Sequence, residues 1–154
     1  MNRLLAGLWR LGKPLQWRIL WFAHAKFIVG VTGVIRDDEG RVLLLRHRLW
    51  PPSRQWGCPT GYARKNELHE DTIDRELREE TGLALKPGRL LGVRSGYKYR
   101  IEVYYEATLV GGLEGLRLER REILDARLFD LDRLPDGLPD SHRELVGMLS
   151  RAPS

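Results

Sequence analysis

Residues 61–83 read GYARKNELHEDTIDRELREETGL. From Asn66 to Gly82 the stretch has an acidic start, strong helix formers and a terminal glycine, which predicts an α-helix stopping at Gly82. At about 100° per residue, Thr72, Glu76, Glu79 and Glu80 share one arc of about 100°, with Ile73 and Leu77 adjoining it. Glutamates at i, i+3 and i+4 repel one another, at roughly a few tenths of a kcal/mol per pair. A hard divalent cation would offset that repulsion, because Mg2+ or Mn2+ takes several oxygen ligands where carboxylates converge beside phosphates. The competing reading is an ordinary solvated acidic face relieved by Arg75 and Arg78.

The wider spacing decides between the two. Gly61 is followed by five residues, Glu67, seven residues, Arg75-Glu76-Leu77, one residue, Glu79-Glu80, one residue and Gly82-Leu83. Every fixed position of the Nudix box, G-x5-E-x7-R-E-U-x-E-E-x-G-U with U a bulky aliphatic residue, is matched. At residue usages of about 5–10%, chance produces such a match less often than about once in a million. The chain therefore resembles the Nudix hydrolases. The likeness continues through VGVTGVIRDDEGRVLLLRHR at 29–48, Trp56 and Pro59, and REILDARLFDLDRLP at 121–135, so it runs from about Phe27 to the C-terminal helix.

The resemblance implies a Nudix domain over 27–154, an α/β/α sandwich with a mixed sheet, and Mg2+- or Mn2+-dependent hydrolysis of a nucleoside diphosphate linked to another group X. It makes Glu76, Glu79 and Glu80 the metal-ligating side chains, joined by the backbone carbonyl of Thr60. Glu67 and Arg75 become an ion pair holding the box loop against the helix, with Glu67 within reach of metal. A further carboxylate comes from an opposite loop, Glu122 first and Glu119 in reserve. The general base is Glu76 or Glu122; closely spaced acids titrate as a set, which leaves the choice open.

Three features depart from the family pattern. Thr60 stands where a second glycine is usual, and a β-branched residue does not adopt positive φ cheaply. Lys65 and Asn66 precede Glu67 where a glycine is common, and asparagine tolerates the left-handed conformation. Thr72 and Ile73 replace common alanines. Together these motivate one alternative, a nucleotide-binding module with weakened catalysis.

Outward from the box, FIVGVTGVIR from Phe27 is β-branched and apolar, turn residues Asp37 to Gly40 follow, and RVLLLRH resumes, which predicts a hairpin. LWPPSRQWGCPTG from Leu49 to Gly61 reads as a loop. RLLGVRSG, YRIEVYYEATLV and DARLFDL read as strands, and Ser141 with Glu144 as a capping box opening a last helix.

Arg46, Arg48 and Arg54 are candidate phosphate contacts beside the box, with Trp56 a further substrate contact. Tyr99 occupies a position where ADP-ribose-cleaving relatives often carry proline, and Tyr97, Tyr99 and Tyr104 lie where dinucleoside polyphosphate hydrolases often place a tyrosine. That favours a substrate with a stacking base.

The chain of 154 residues, 42% apolar, suits one domain. The lone Cys58 excludes an intrachain disulfide and a multi-cysteine zinc site, which points to the cytoplasm. A net charge of +5 and a pI near 9.7 suit an anionic partner. With no zinc-finger spacing and no long basic block, specific nucleic-acid binding is not expected. Residues 1–26 form a separate basic segment, predicted as two short amphipathic helical pieces hinged at Pro14. Such a segment packs on the domain or on a second copy in a homodimer, or else residues 1–24 lie on an anionic membrane surface. The last option motivates a second alternative, hydrolysis of a lipid-linked, prenyl-type diphosphate.

Overall fold

Burial on both faces of two strands dictates the layers. The computed structural model describes residues 13–95 and 99–149, in the order α1 (Lys13–Ala23), β1 (Ile28–Arg36), β2 (Val42–His47), a 3-10 turn (Pro52–Arg54), β3 (Trp56–Gly57), β4 (Thr60–Tyr62), α2 (His69–Thr81), β5 (Ala84–Ser95), β6 (Arg100–Val110), β7 (Ile123–Phe129) and α3 (Asp140–Leu149). Val31 and Ile35 of β1 and Leu43 and Leu45 of β2 face one layer, where Ile73 and Leu77 of α2 cover them. Val34, Val42 and Leu44 face the other, under Leu145, Val146 and Leu149 of α3. Strands buried on both sides need cover on both sides, and the α/β/α sandwich expected from the sequence supplies it.

The seven-stranded sheet runs β3-β2-β1-β6-β5, with β4 against β1 and β7 against β2. It is mixed, because β1 and β6 are parallel while the other pairs are antiparallel. The predicted hairpin forms its turn through Asp37, whose Oδ1 accepts the N–H groups of Glu39 and Arg41. β1 and β2 nevertheless stay paired only at Arg36 and Val42. Beyond that point β4 takes the flank of β1, from Gly30 opposite Tyr62 to Thr32 opposite Thr60. The parting of the hairpin is what admits the start of the box to the sheet beside α2.

Three expectations are revised. The stretch from Leu49 to Gly61 is not one loop, since it holds a 3-10 turn, β3 and the start of β4. No capping box opens α3: the helix begins at Asp140, and the carbonyl of Pro139 accepts the N–H groups of His142 and Arg143, which places Ser141 inside the first turn. Pro14 lies in the first turn of α1, where its missing N–H costs nothing, and the hinge predicted there joins α1 to residues before Lys13. The other helical piece lies outside the described residues, as does Tyr97. Finally, α1 buries none of its residues, so it does not pack on the domain, and its apolar side chains encircle the axis instead of forming one stripe.

One histidine is buried as well. His47 at the end of β2 stacks on Trp50 with ring centroids 4.0 Å apart, and its buried Nε2 has no hydrogen-bond partner among the described residues. Burial, with the nearby His142 second, pulls its pKa down to about 4. The unfolded chain therefore binds this proton more readily: stability is complete above pH 6.5 and is lost as pH falls through the interval down to about 4. A shift of this size corresponds to about 3 kcal/mol. Urea unfolding of the wild type and of His47→Phe at several pH values between 7.5 and 4.5 is expected to show a shallower loss for the variant; parallel curves would mean that His47 is not buried in its neutral form.

Candidate active site

Gly61 makes the closest approach in the site. A Cβ built on it would fall 1.9 Å from Cγ of Glu76, so only a residue without a side chain lets β4 lie against this face of α2. Asn66 then turns the loop in the left-handed conformation, at φ 64°, as its chemistry allows. Gly82 closes α2 at φ 72°, its N–H donating to the Arg78 carbonyl.

Arg75 is the hub. Its Nε donates to Glu67 Oε1 at 2.6 Å and its Nη2 to Glu67 Oε2 at 3.2 Å, the two-pronged geometry that suits a guanidinium and a carboxylate. Nη2 also reaches the Tyr62 carbonyl at 3.0 Å, and Nη1 reaches Glu76 Oε1 at 2.7 Å and Glu79 Oε2 at 3.3 Å. One side chain thus ties β4, the loop and two helix carboxylates together. The Arg75 hydrogen bonds hold the Glu67 carboxyl down at about 2, aided by the Arg64 N–H and the Thr72 hydroxyl. Arg64, which sequence reasoning passed over, also donates to both oxygens of Glu79. Thr72 is buried and braces Glu67 and is not part of an acidic face.

Glu80 differs from its neighbours. It is buried, its Oε2 has no hydrogen-bond partner among the described residues, and burial followed by the charges of Glu76, Glu122 and Glu79 raises its pKa to about 8. The loop bearing Glu122 is pinned to the end of α2: Arg117 N–H donates to the Thr81 carbonyl, Glu119 N–H to the Glu80 carbonyl, and Glu122 N–H to the Glu119 carbonyl. Glu119 turns its own Oε1 back to the Arg121 N–H. Glu122 is therefore the loop carboxylate whose charge is felt by Glu80.

Thr60 lies in an extended strand, and among the described residues only Asn66 and Tyr99 are non-glycines with positive φ. The strain expected of a β-branched residue there does not arise, so Thr60 gives no support to weakened catalysis. Gly33 donates to the Pro59 carbonyl and Ala63 to the Val29 carbonyl, so Thr60 faces Thr32 in the non-hydrogen-bonded register. Its carbonyl points away from β1.

Among the described residues no three acidic, histidine or cysteine side chains are gathered closely enough to enclose a metal ion as they stand. The donor set nevertheless fits a divalent cation. An unpartnered buried carboxylate oxygen, with three further carboxylates near enough to perturb it, is the arrangement a hard cation relieves. At neutral pH the Glu80 proton must leave before both oxygens can face a cation. Titrating Mg2+ into the protein near pH 7, in buffers of different ionisation enthalpy, is expected to show release of about one proton that Glu80→Gln abolishes. Equal release by both proteins would place the titrating group elsewhere.

A cavity of about 200 Å3 opens between the sheet and α3, lined by Thr32, Trp50, Thr60, Arg100, Glu102, Tyr104 and His142 among others, and it meets β4 at Thr60. His142 accepts the Cys58 N–H at its Nδ1, and Arg100 pairs with Glu102. Of the sequence-based substrate contacts, the cavity gathers Tyr104 alone. Trp56 packs edge-on against Phe129 on the α3 side of the core, Arg46 bonds Gln55, and Arg54 lines a separate hollow with Ser53 and Asp136. Arg48 lies nearer the glutamates, donating its N–H to the Glu122 carbonyl and its Nε to the Arg120 carbonyl. Tyr99 is exposed at the edge of the domain beside Phe27. Trp50, the Arg100–Glu102 pair and His142 carried no local signal, because they come from three separate parts of the chain. A wider hollow of about 570 Å3, over α3 at Arg94, Arg143 and Glu144, contains no box residue.

Comparison with known proteins agrees with this geometry. The NUDIX domain model matches residues 26–148. The ADP-ribose pyrophosphatase of Methanocaldococcus jannaschii is 30% identical over 123 residues, covering 77% of this chain and 70% of that one. The NAD-capped RNA hydrolase NudC of Vibrio atlanticus is 29% identical over 121 residues, 76% of this chain but only 40% of its own length. Among crystal structures, the MutT NUDIX hydrolase of Burkholderia pseudomallei superposes with a TM-score of 0.68 at 28% identity, over 81% of this chain and 99% of that one. With a complete box, its arginine hub and its sandwich in place, this chain belongs to the Nudix family of pyrophosphohydrolases.

Proposed function

We propose that the protein hydrolyses a diphosphate linkage in a nucleoside diphosphate-X or dinucleotide substrate, with Mg2+ or Mn2+ held by Glu76, Glu79, Glu80, Glu122 and the Thr60 carbonyl. The observation that carries this reading is the buried, unpartnered oxygen of Glu80 amid those carboxylates. A divalent cation bound there supplies charge neutralisation on the diphosphate and a lowered pKa for attacking water. The chain's own residues do the rest. Arg75 fixes Glu67 and the carbonyl end of β4, and keeps Glu76 and Glu79 within reach of one another. In this reading Glu76 or Glu122 takes the proton of the attacking water. The cavity beyond Thr60 offers Trp50 and Tyr104 as apolar walls and Glu102 as an acceptor, features that suit a base and its sugar. The ADP-ribose pyrophosphatase relative favours a substrate of that class.

Incubation with a panel of ADP-ribose, NADH, UDP-sugars, dinucleoside polyphosphates and nucleoside triphosphates, scored by product mass with and without Mg2+, tests the reading. A nucleoside monophosphate is the expected product from at least one diphosphate-bridged compound. A prenyl diphosphate belongs in the panel, because the exposed helix α1 favours a lipid-linked substrate as the second reading. Turnover of that compound alone would displace the nucleotide assignment.

A further inference from the structure

The positive charge of this chain is concentrated at one end. Six of the 26 Lys and Arg residues and none of the 21 Asp and Glu precede Asp37, which leaves 20 basic against 21 acidic residues from Asp37 onward. The catalytic domain is thus close to neutral, and the basic pI comes from the segment ahead of it. Three of the five tryptophans, Trp9, Trp17 and Trp21, lie there too.

Within that segment α1 has no buried residue. Trp17, Trp21 and Phe22 are 70%, 61% and 73% exposed, and Leu15 is exposed beside them. Lys13 and Arg18 lie among these side chains, and Lys26 stands over the Trp21 ring at 4.4 Å. The apolar surface continues into the domain, where Phe27 and Ile28 are exposed and Tyr99 meets Phe27 edge-on at 6.0 Å. So much large apolar surface in one place marks a contact site.

The composition selects the partner. A second copy of α1 would bring cation against cation, with no acidic side chain on the segment to answer Lys13, Arg18 and Lys26. A lipid surface with anionic headgroups answers both features: indole rings settle at the boundary between headgroups and acyl chains, and Lys and Arg reach phosphates. Eleven residues are too few to cross a bilayer, and no helix among the described residues is long and apolar enough to do so. The helix would therefore lie along the surface. We propose that α1, together with Phe27, docks this enzyme on anionic membrane surfaces. The proposal goes beyond the substrate assignment and stands whichever diphosphate is cut.

The test uses the full chain and sedimentation with vesicles of phosphatidylcholine alone or mixed with phosphatidylglycerol. Binding to the mixed vesicles is expected to exceed binding to the neutral ones by about tenfold or more at low salt, and to weaken as salt rises. The triple variant Trp17→Ala, Trp21→Ala, Phe22→Ala is expected to lose that binding by about tenfold, with nucleotide turnover and melting temperature unchanged, because these side chains support neither core nor site. Arg18→Glu should selectively lower the salt-sensitive part. Equal sedimentation of wild type and triple variant, or no preference for anionic vesicles, overturns the proposal. So does a wild-type dimer in analytical ultracentrifugation that the triple variant dissolves without any vesicle binding, which would assign the same surface to a second copy.

Discussion

Glu79→Gln and Glu80→Gln are each expected to lower kcat for Mg2+-supported hydrolysis by about a thousandfold or more, as loss of several kcal/mol of charge stabilisation implies. The two substitutions reach that result from different starting points. Glu79 is half exposed and shared between Arg64 and Arg75, so its amide keeps the shape but releases two guanidinium groups. Glu80 is buried and, with a pKa near 8, carries a proton at neutral pH, so the glutamine resembles the form the fold already contains. The sign for stability follows: a carboxyl whose pKa is raised from 4.5 to about 8 destabilises the fold increasingly as pH climbs across that interval. Glu80→Gln should therefore melt no lower than wild type at pH 7 and higher at pH 9, while being inactive at both. Steady-state kinetics at saturating Mg2+ with thermal melts at the two pH values check this. Full activity in both variants would remove these carboxylates from the metal site.

Gly61→Ala should cost about a hundredfold in kcat, although it changes no charged or polar group. The added methyl would overlap Cγ of Glu76, a contact no relaxation of a few tenths of an ångström can relieve. Either Glu76 swings away or β4 shifts on β1, and a displacement of about 1 Å at a reacting group costs on the order of 10²-fold. Overpacking of this kind also destabilises by about 1–3 kcal/mol. The discriminating comparison is Gly40→Ala in the first hairpin turn, where a Cβ meets nothing within 4 Å. Its positive φ strains the fold, but kcat should be untouched. Loss of activity in both variants to the same degree would mean that general destabilisation, and not the position of Glu76, is being measured.

The difference between these variants mirrors what could be read from the chain. The box was legible because its logic is local: glutamate spacing, the asparagine able to turn left-handed and the closing glycine lie within one helix and its flanks. The two central strands were legible as apolar runs buried on both faces. β3 and β4 were not, since two or three residues in a Pro- and Gly-rich stretch have no periodicity, and their pairing with β2 and β1 is long-range. The cavity was hidden for the same reason, with Thr32, Trp50, Glu102 and His142 brought together only by the sheet and α3. The packing of Trp56 was hidden likewise, because its ring partner Phe129 lies seventy-three positions on.

The outer strand β5 has one further consequence. Its pairing with β6 breaks register twice, around Leu90, and Pro87 stands within it without an N–H to offer. A ribbon kinked in this way gives an incoming chain no regular row of donors and acceptors to copy. Growth of filaments by adding strand to strand is therefore disfavoured along this margin.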